Sequence, residues 1–308
     1  MKKICTPVFS FIASAMIVCL LSGFTRMPVE ERFKDWNYSP NEVFGLVKLE
    51  STSNRSWYKI SHLDNQSTRV QEYNAAGIVT NTTILRFFNG KVKMMTSTDQ
   101  FGRTYETTKY TNLGNDEFMV TTTNTGKNSY LPCKSVKYIY KNNVLSEMQY
   151  LSFAGKLCNN ANGVAITRFK RYDDKDRFSL VKEQSFYGAD GQPVISKSFD
   201  CHKVVYERDI RGNELSIAYF GINDEPLTNR YGGYKYRYEY DQNDNNIKHE
   251  NIGLNEEATA NSYGVAKVVY AYKKGFLTQE TRYDGKNTIV RASDAGDGIA
   301  IVKNEYDE

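Results

Sequence analysis

The chain has 308 residues, with Lys and Arg at 40 against Asp and Glu at 36, a formal charge of +4. So weak a field excludes binding driven by phosphate contacts, and no nucleic acid partner is expected. Hydrophobic residues at 40% rule out wholesale disorder, and 23 Tyr and 16 Phe against 6 Pro tilt the composition toward β-structure, since rings pack well on a half-buried pleated surface.

Lys2 and Lys3 precede an uncharged run, Ile4 to Thr25, and the next charge is Arg26. A basic end, an apolar stretch and then small residues is the layout of an export signal. The best cut follows Gly23 in Leu21-Ser22-Gly23, which makes residues 1–23 a signal peptide. An uncleaved anchor is the alternative, because roughly 20 apolar residues span a bilayer. Cleavage is favoured, since the strongly apolar part, Val8 to Leu21, is short. Either way the body of the protein lies outside the cytoplasm, in the periplasm, on the outer surface or secreted. Any membrane contact is through the N-terminal segment alone.

Residues 24–130 read as a β-rich region without a regular period. Pro28 to Glu31 suits a short helix, and Glu42 to Leu49 is apolar enough to begin the fold. Val70 to Tyr73, Ile84 to Phe88 and Phe118 to Thr123 read as strands, punctuated by turns at Asn89-Gly90 and Phe101-Gly102-Arg103.

Residues 131–308 are organised by a repeat. At an offset of 32, Lys203, Lys235 and Lys267 coincide, as do Tyr206, Tyr238 and Tyr270, and Gly221, Gly253 and Gly285. Asp209 and Asn213 meet Asp241 and Asn245, while Asn229, Tyr231 and Gly232 meet Asn261, Tyr263 and Gly264. An earlier copy pairs Tyr187-Gly188 with Phe220-Gly221 at an offset of 33, and Tyr138 to Gly155 forms a degenerate one. Within a unit, Tyr234, Tyr236, Tyr238 and Tyr240 alternate with Lys235, Arg237 and Glu239, the period of a strand with rings on one face and charges on the other. Asp241 to Asn245 supplies residues that tolerate positive φ and bond their own backbone, so the chain reverses there. A second strand follows, Glu214 to Phe220 in one copy and Asn246 to Ile252 in the next. Asp190-Gly191 is a hairpin signal.

The run Tyr238-Glu239-Tyr240-Asp241 with Asn245, and more loosely Phe169 to Asp173, resembles the Tyr-Asp repeats of RHS-type bacterial surface and secreted proteins, over about half the chain. Its spacing is longer than in that family, and the Gly-Arg pair that follows Tyr-Asp there is replaced by Arg211-Gly212-Asn213 or missing. What the resemblance implies is an extended β-sheet built from hairpins on an exported protein. The toxin-enclosing shell of the long family arrays is not carried over to so short a chain.

Residues that carry chemistry are sparse. His62, His202 and His249 form no ligand-like pair, and adjacent Cys201 and His202 in a strand point to opposite faces. Ser152 lacks the first Gly of a nucleophile elbow, and Gly296-Asp297-Gly298 lacks the rest of a phosphate loop. Asp241-x-Asn243-x-Asn245 opens like a calcium loop, but Asn246 and Ile252 stand where such a loop needs Gly and Glu, so a turn is expected. Outside the leader's Cys5 and Cys19 there are Cys133, Cys158 and Cys201, which allow at most one internal disulfide; three single buried thiols are the other reading. No metal site, cofactor or catalytic residue is assigned.

The expected fold is all-β, an antiparallel β-meander built from successive hairpins behind the N-terminal signal segment. The expected function is a binding or structural scaffold of the bacterial envelope for a protein or glycan, with Tyr234, Tyr236, Tyr238 and Tyr240 as the candidate binding row. Two rivals are kept: an extracellular glycan hydrolase using turn carboxylates such as Asp190, Asp224, Glu225 and Asp284, and a periplasmic half-barrel handling lipids or lipoproteins.

Overall fold

The computed structural model describes residues 31–49, 56–124, 132–173, 180–291 and 299–305. The signal segment lies outside these residues, and of the Pro28–Glu31 helix only Glu31 falls within them. From Arg32 onward the chain is one compact unit. Its described residues contain no helix, and all 19 strands belong to one antiparallel sheet.

Strands β1 (Phe33–Tyr38) and β2 (Val43–Lys48) form the first hairpin. Then β3 (Trp57–Asp64), β4 (Ser67–Tyr73), β5 (Val79–Phe88), β6 (Lys91–Asp99), β7 (Thr104–Gly114) and β8 (Glu117–Asn124) follow as a meander. From β4 to β8 each strand pairs with its predecessor, while β3 meets β1 through Phe33 and Tyr58. The meander continues through β9 (Ser135–Lys141), β10 (Val144–Leu151), β11 (Ile166–Arg171), β12 (Val181–Tyr187), β13 (Lys203–Arg208) and β14 (Glu214–Phe220). It ends with β15 (Lys235–Tyr240), β16 (Asn246–Ile252), β17 (Lys267–Lys273), β18 (Phe276–Tyr283) and β19 (Ile301–Lys303). Strands β8 and β9 pair from Glu117 with Ile139 to Val120 with Val136.

One turn makes most of the reversals. Its first residue donates its N–H to the carbonyl four positions on, and accepts from the N–H three positions on, as at Asn74–Ile78, Asp99–Arg103, Asp209–Asn213 and Asp241–Asn245. This is a type I turn closed by a residue at positive φ. That residue is Gly102 and Gly212 in two of them, and Asp244 in a third. The carboxylate or amide of the first residue also binds the loop: Asp241 Oδ1 accepts from the N–H groups of Asn243 and Asn245 at 2.8 and 2.9 Å. Asn89-Gly90, Asn142-Asn143 and Lys274-Gly275 instead take positive φ at both residues, the two-residue hairpin turn.

The repeat is real in three dimensions. Leu151, Tyr187, Phe220, Ile252 and Tyr283, each at the end of a strand, form a bridge to the residue six positions on. Asp190-Gly191 lies in this reversal inside a connector, so it does not join two long strands. A second turn begins at Asn160, Asn229 and Asn261, whose side chains bind the loop N–H groups. Successive connectors stack: Ser262 N–H donates to Tyr231 carbonyl, and Lys197 N–H to Asn162 carbonyl. One aligned pair is a coincidence. Gly221 and Gly253 open their turns, but in the last copy Asp284 does so and Gly285 is second. The two-residue Lys274-Gly275 turn shortens that copy by one residue, so equivalence slips to an offset of 31.

Directly opposed residues share a face of an antiparallel sheet, and the registers trace one face through all the strands. Over β4 to β9 that face carries Val70, Leu85, Phe87, Val92, Tyr110, Phe118, Val120 and Tyr140, all buried. The β1–β2 hairpin seals it with Trp36, Tyr38 and Val43. The same hairpin reaches the repeats, where Leu46 packs with Tyr172 and Leu180, and Lys34 Nζ donates to the Arg211 carbonyl at 3.1 Å. Along a flat sheet β3 and β13 would stand about 48 Å apart, at about 4.8 Å per strand. Because Phe33 pairs with Tyr58 of β3 and Lys34 reaches the turn that follows β13, the sheet curls around its first hairpin.

Candidate functional site

Beyond β13 the curled sheet continues, and its inner face carries tyrosines. By register, Tyr206 opposes Ile217, Tyr236 opposes Ile217 and Asn251, and Tyr238 opposes His249. His249 in turn opposes Val268, next but one to Tyr270. The rings touch edge to face or at a tilt: Tyr219 and Tyr236 at 6.0 Å, Tyr238 and His249 at 6.1 Å, His249 and Tyr270 at 6.0 Å. His249 Nδ1 and Tyr270 Oη are 3.1 Å apart, and Asn229 Nδ2 donates to Tyr236 Oη at 3.3 Å. These side chains are half-buried, in contrast with the sealed face over β4 to β9.

The row expected from sequence is therefore altered at one end. Tyr236 and Tyr238 share the inner face. Tyr234 precedes β15, is 5% exposed, and packs with Ala218, Phe220 and Ile252. The registers place those three on the opposite side of the sheet. The Tyr234 hydroxyl donates to Glu256. The backbone leaves its extended path between Gly232 and Lys235, and alternation breaks there. Tyr240 stands at a register shift, paired with Asn246. In its place the structure adds Tyr206, Tyr219, His249 and Tyr270. The signal for Tyr206 and Tyr270 was their coincidence with Tyr238 at the repeat offset, which marks one face in successive copies.

Burial dominates the electrostatics of this face. It pushes the Tyr206 and Tyr270 phenols up to about 12, and raises Tyr219, Tyr236 and Tyr238 as well. The hydroxyls are thus neutral donors and acceptors at any physiological pH. Burial likewise pulls His249 below the ordinary histidine range, against the attraction of Glu280, so its ring is neutral at pH 7. A wall of neutral rings with polar tips suits sugars or another protein's side chains.

The other candidates are absorbed by the fold. Asp241 is spent on its own turn, its Oδ2 accepting from Asn245 Nδ2 at 2.9 Å. Asp190 and Asp284 accept from loop N–H groups, Glu225 accepts from Asn223 N–H, and Asp224 pairs with Lys203 at 2.6 Å. Cys201 lies in a cluster with Val204 and Phe186, while His202 meets the Tyr187 ring edge-on on the other side of the sheet. Ser152 accepts from Lys156 N–H within a turn. Among the described residues no three His, Cys, Asp or Glu side chains are grouped to hold a metal. Cys133, Cys158 and Cys201 are all free thiols.

Comparison with known proteins adds little to the geometry. No family model matches the chain, and no curated protein matches it. Among solved structures, a porin-like protein from Bacteroides uniformis aligns over 75% of this chain and 95% of its own, at 10% identity and a TM-score of 0.23. A likeness that distant carries no argument about activity. What fold and face define is an all-β hairpin-repeat protein with an aromatic inner surface.

Proposed function

We propose that the chain is an exported β-repeat protein of the bacterial envelope, acting as a binding scaffold whose ligand is a glycan or a protein. The contact surface is the inner face of the repeats, centred on Tyr236, Tyr238, His249 and Tyr270. One observation supports this reading above others: the β1–β2 hairpin seals the inner face over β4 to β9, whereas the continuation over β14 to β17 keeps its rings half-buried. Rings held rigid by neighbours give contact area at low entropic cost. The half-barrel rival needs an open apolar concavity, and over β4 to β9 that space is filled by Trp36, Tyr38 and Val43. The hydrolase rival needs two carboxylates across a cleft, and the turn carboxylates named for it are engaged in their own loops or with Lys203.

The test is titration of the purified chain with soluble envelope oligosaccharides and with detergent-extracted envelope proteins, followed by tyrosine fluorescence. Saturable binding that weakens about tenfold in Tyr238→Ala but not in Tyr238→Phe supports stacking on the ring. Binding unchanged by both Tyr236→Ala and Tyr238→Ala, in variants that melt like the parent, removes this face from the proposal.

A further inference from the structure

Cys133 lies just before β9 and Cys158 in the connector after β10, and both are pinned to the end of β10. Lys134 N–H donates to the Leu151 carbonyl at 2.7 Å, and Cys158 N–H to the Tyr150 carbonyl at 2.9 Å. Cys133 Sγ sits 3.0 Å from the Cys158 carbonyl oxygen, 25 residues away in sequence. Cys201 is elsewhere, fully buried against Val204 and Phe186.

We infer that Cys133 and Cys158 are a disulfide-forming pair, and that Cys201 is the thiol left over. The oxidant is a low-molecular-weight disulfide such as oxidised glutathione. Half-buried Cys158, as thiolate, attacks one sulfur of that disulfide and releases one glutathione thiolate. Cys133 then attacks the Cys158 sulfur of the mixed disulfide and expels the second. Two protein thiols lose two electrons and two protons, and two molecules of reduced glutathione carry them away. The product ties the last approach to β9 to the first repeat connector, the junction between the irregular half of the sheet and its regular half. Burial pushes the Cys133 thiol up to about 12, so the closing step is slow at neutral pH and quickens as pH rises. This pairing does not depend on the proposed ligand, and an oxidising envelope is where it would persist.

The experiment is equilibration of the full chain with oxidised glutathione, alkylation of remaining thiols under denaturing conditions, and tryptic mapping. Asn128–Lys134 carries Cys133, Leu157–Arg168 carries Cys158 and Ser198–Lys203 carries Cys201. The expected result is a crosslink between the first two peptides, about 2 Da below their summed mass as the two-electron loss requires, with Cys201 alkylated. Dithiothreitol reverses it, and the oxidised chain melts about 2–8 °C higher than the reduced one. Cys201→Ser retains the crosslink, and Cys133→Ser and Cys158→Ser each abolish it. Recovery of both Cys133 and Cys158 as alkylated peptides, or of either crosslinked to Cys201, overturns the pairing.

Discussion

Lys34 Nζ and the Arg211 carbonyl, 177 residues apart, meet at 3.1 Å, and the same ammonium also binds Asn213. Lys34 follows Phe33, which pairs with Tyr58 at the start of the meander. One short stretch of β1 therefore holds the third strand and the turn after the thirteenth near each other, and the curl of the sheet depends on such contacts. Lys34→Met removes both hydrogen bonds while keeping the stem, and is expected to lower stability by about 1–3 kcal/mol in urea unfolding. A double-mutant cycle with Asn213→Ala showing no coupling would mean that this link does not act in solution.

The hairpin's seat makes two glycines behave differently. A Cβ on Gly212, at φ 74°, would meet Val47 Cγ2 at 2.9 Å and Leu180 Cδ1 at 3.1 Å, whereas one on Gly77, at φ 76°, meets nothing within 4 Å. Gly77→Ala carries only the backbone cost of about 1 kcal/mol. Gly212→Ala carries that plus displacement of β2, and is expected to cost roughly 1–3 kcal/mol more. Equal losses of melting temperature in the two variants would contradict the packing of β2 on this turn.

At Asp241 the carboxylate serves the turn. Asp241→Ala loses its bonds to the N–H groups of Asn243 and Asn245 and to the Asn245 amide, a cost of about 1–2 kcal/mol. Asp241→Asn keeps an acceptor oxygen and is expected to retain most of that stability. The melting temperature is expected to be the same with calcium and with a chelator. A calcium-dependent rise that Asp241→Ala abolishes would reinstate the cation loop.

His249 faces Tyr238, Tyr270 and Glu280, and burial lowers its pKa in the fold from 6.5. The unfolded chain thus binds a proton first as pH falls. The stability this group contributes is complete above pH 6.5 and is lost progressively below it, down to the lowered folded value. His249→Gln is expected to flatten that part of the stability–pH curve between pH 4 and 7. An unchanged slope in the variant would show that the ring titrates freely in the folded protein.

The inner-face tyrosines give the opposite sign. Their folded pKa values lie above the ordinary 10.0, at about 12 for Tyr206 and Tyr270. Their contribution is whole below pH 10 and fades between 10 and 12, as the unfolded chain ionises first. Tyrosinate absorbance is expected to rise in two stages, the second coincident with loss of circular dichroism. A single unshifted transition with the fold intact would place the rings in water.

The strands over Glu214–Phe220 and Asn246–Ile252, the reversal at Asp241–Asn245 and the fates of Cys201 and His202 were all legible in the amino-acid order. Each is governed by neighbours within a few positions: alternation of rings and charges, Asp and Asn binding their own loop, side chains pointing alternately. The fold class followed from these local rules, and the repeat extended them along half the chain. Tyr234 was misplaced because its departure from the strand is set by the connector between Gly232 and Lys235, where no period exists. Gly285 matched Gly253 in sequence yet not in place, since a different turn type upstream removed one residue.

Order along the chain dictated the hairpins, because their contacts are short-range. Tertiary structure alone decided which part of the aromatic face is sealed. Val43 lies in a segment that sequence reads only as apolar enough to begin the fold, Trp36 and Tyr38 in one it leaves unassigned, and where their hairpin docks depends on curvature summed over many small strand twists. The same holds for Cys133 beside Cys158: no spacing distinguishes that pair from the other two, and only the folded end of β10 brings them together.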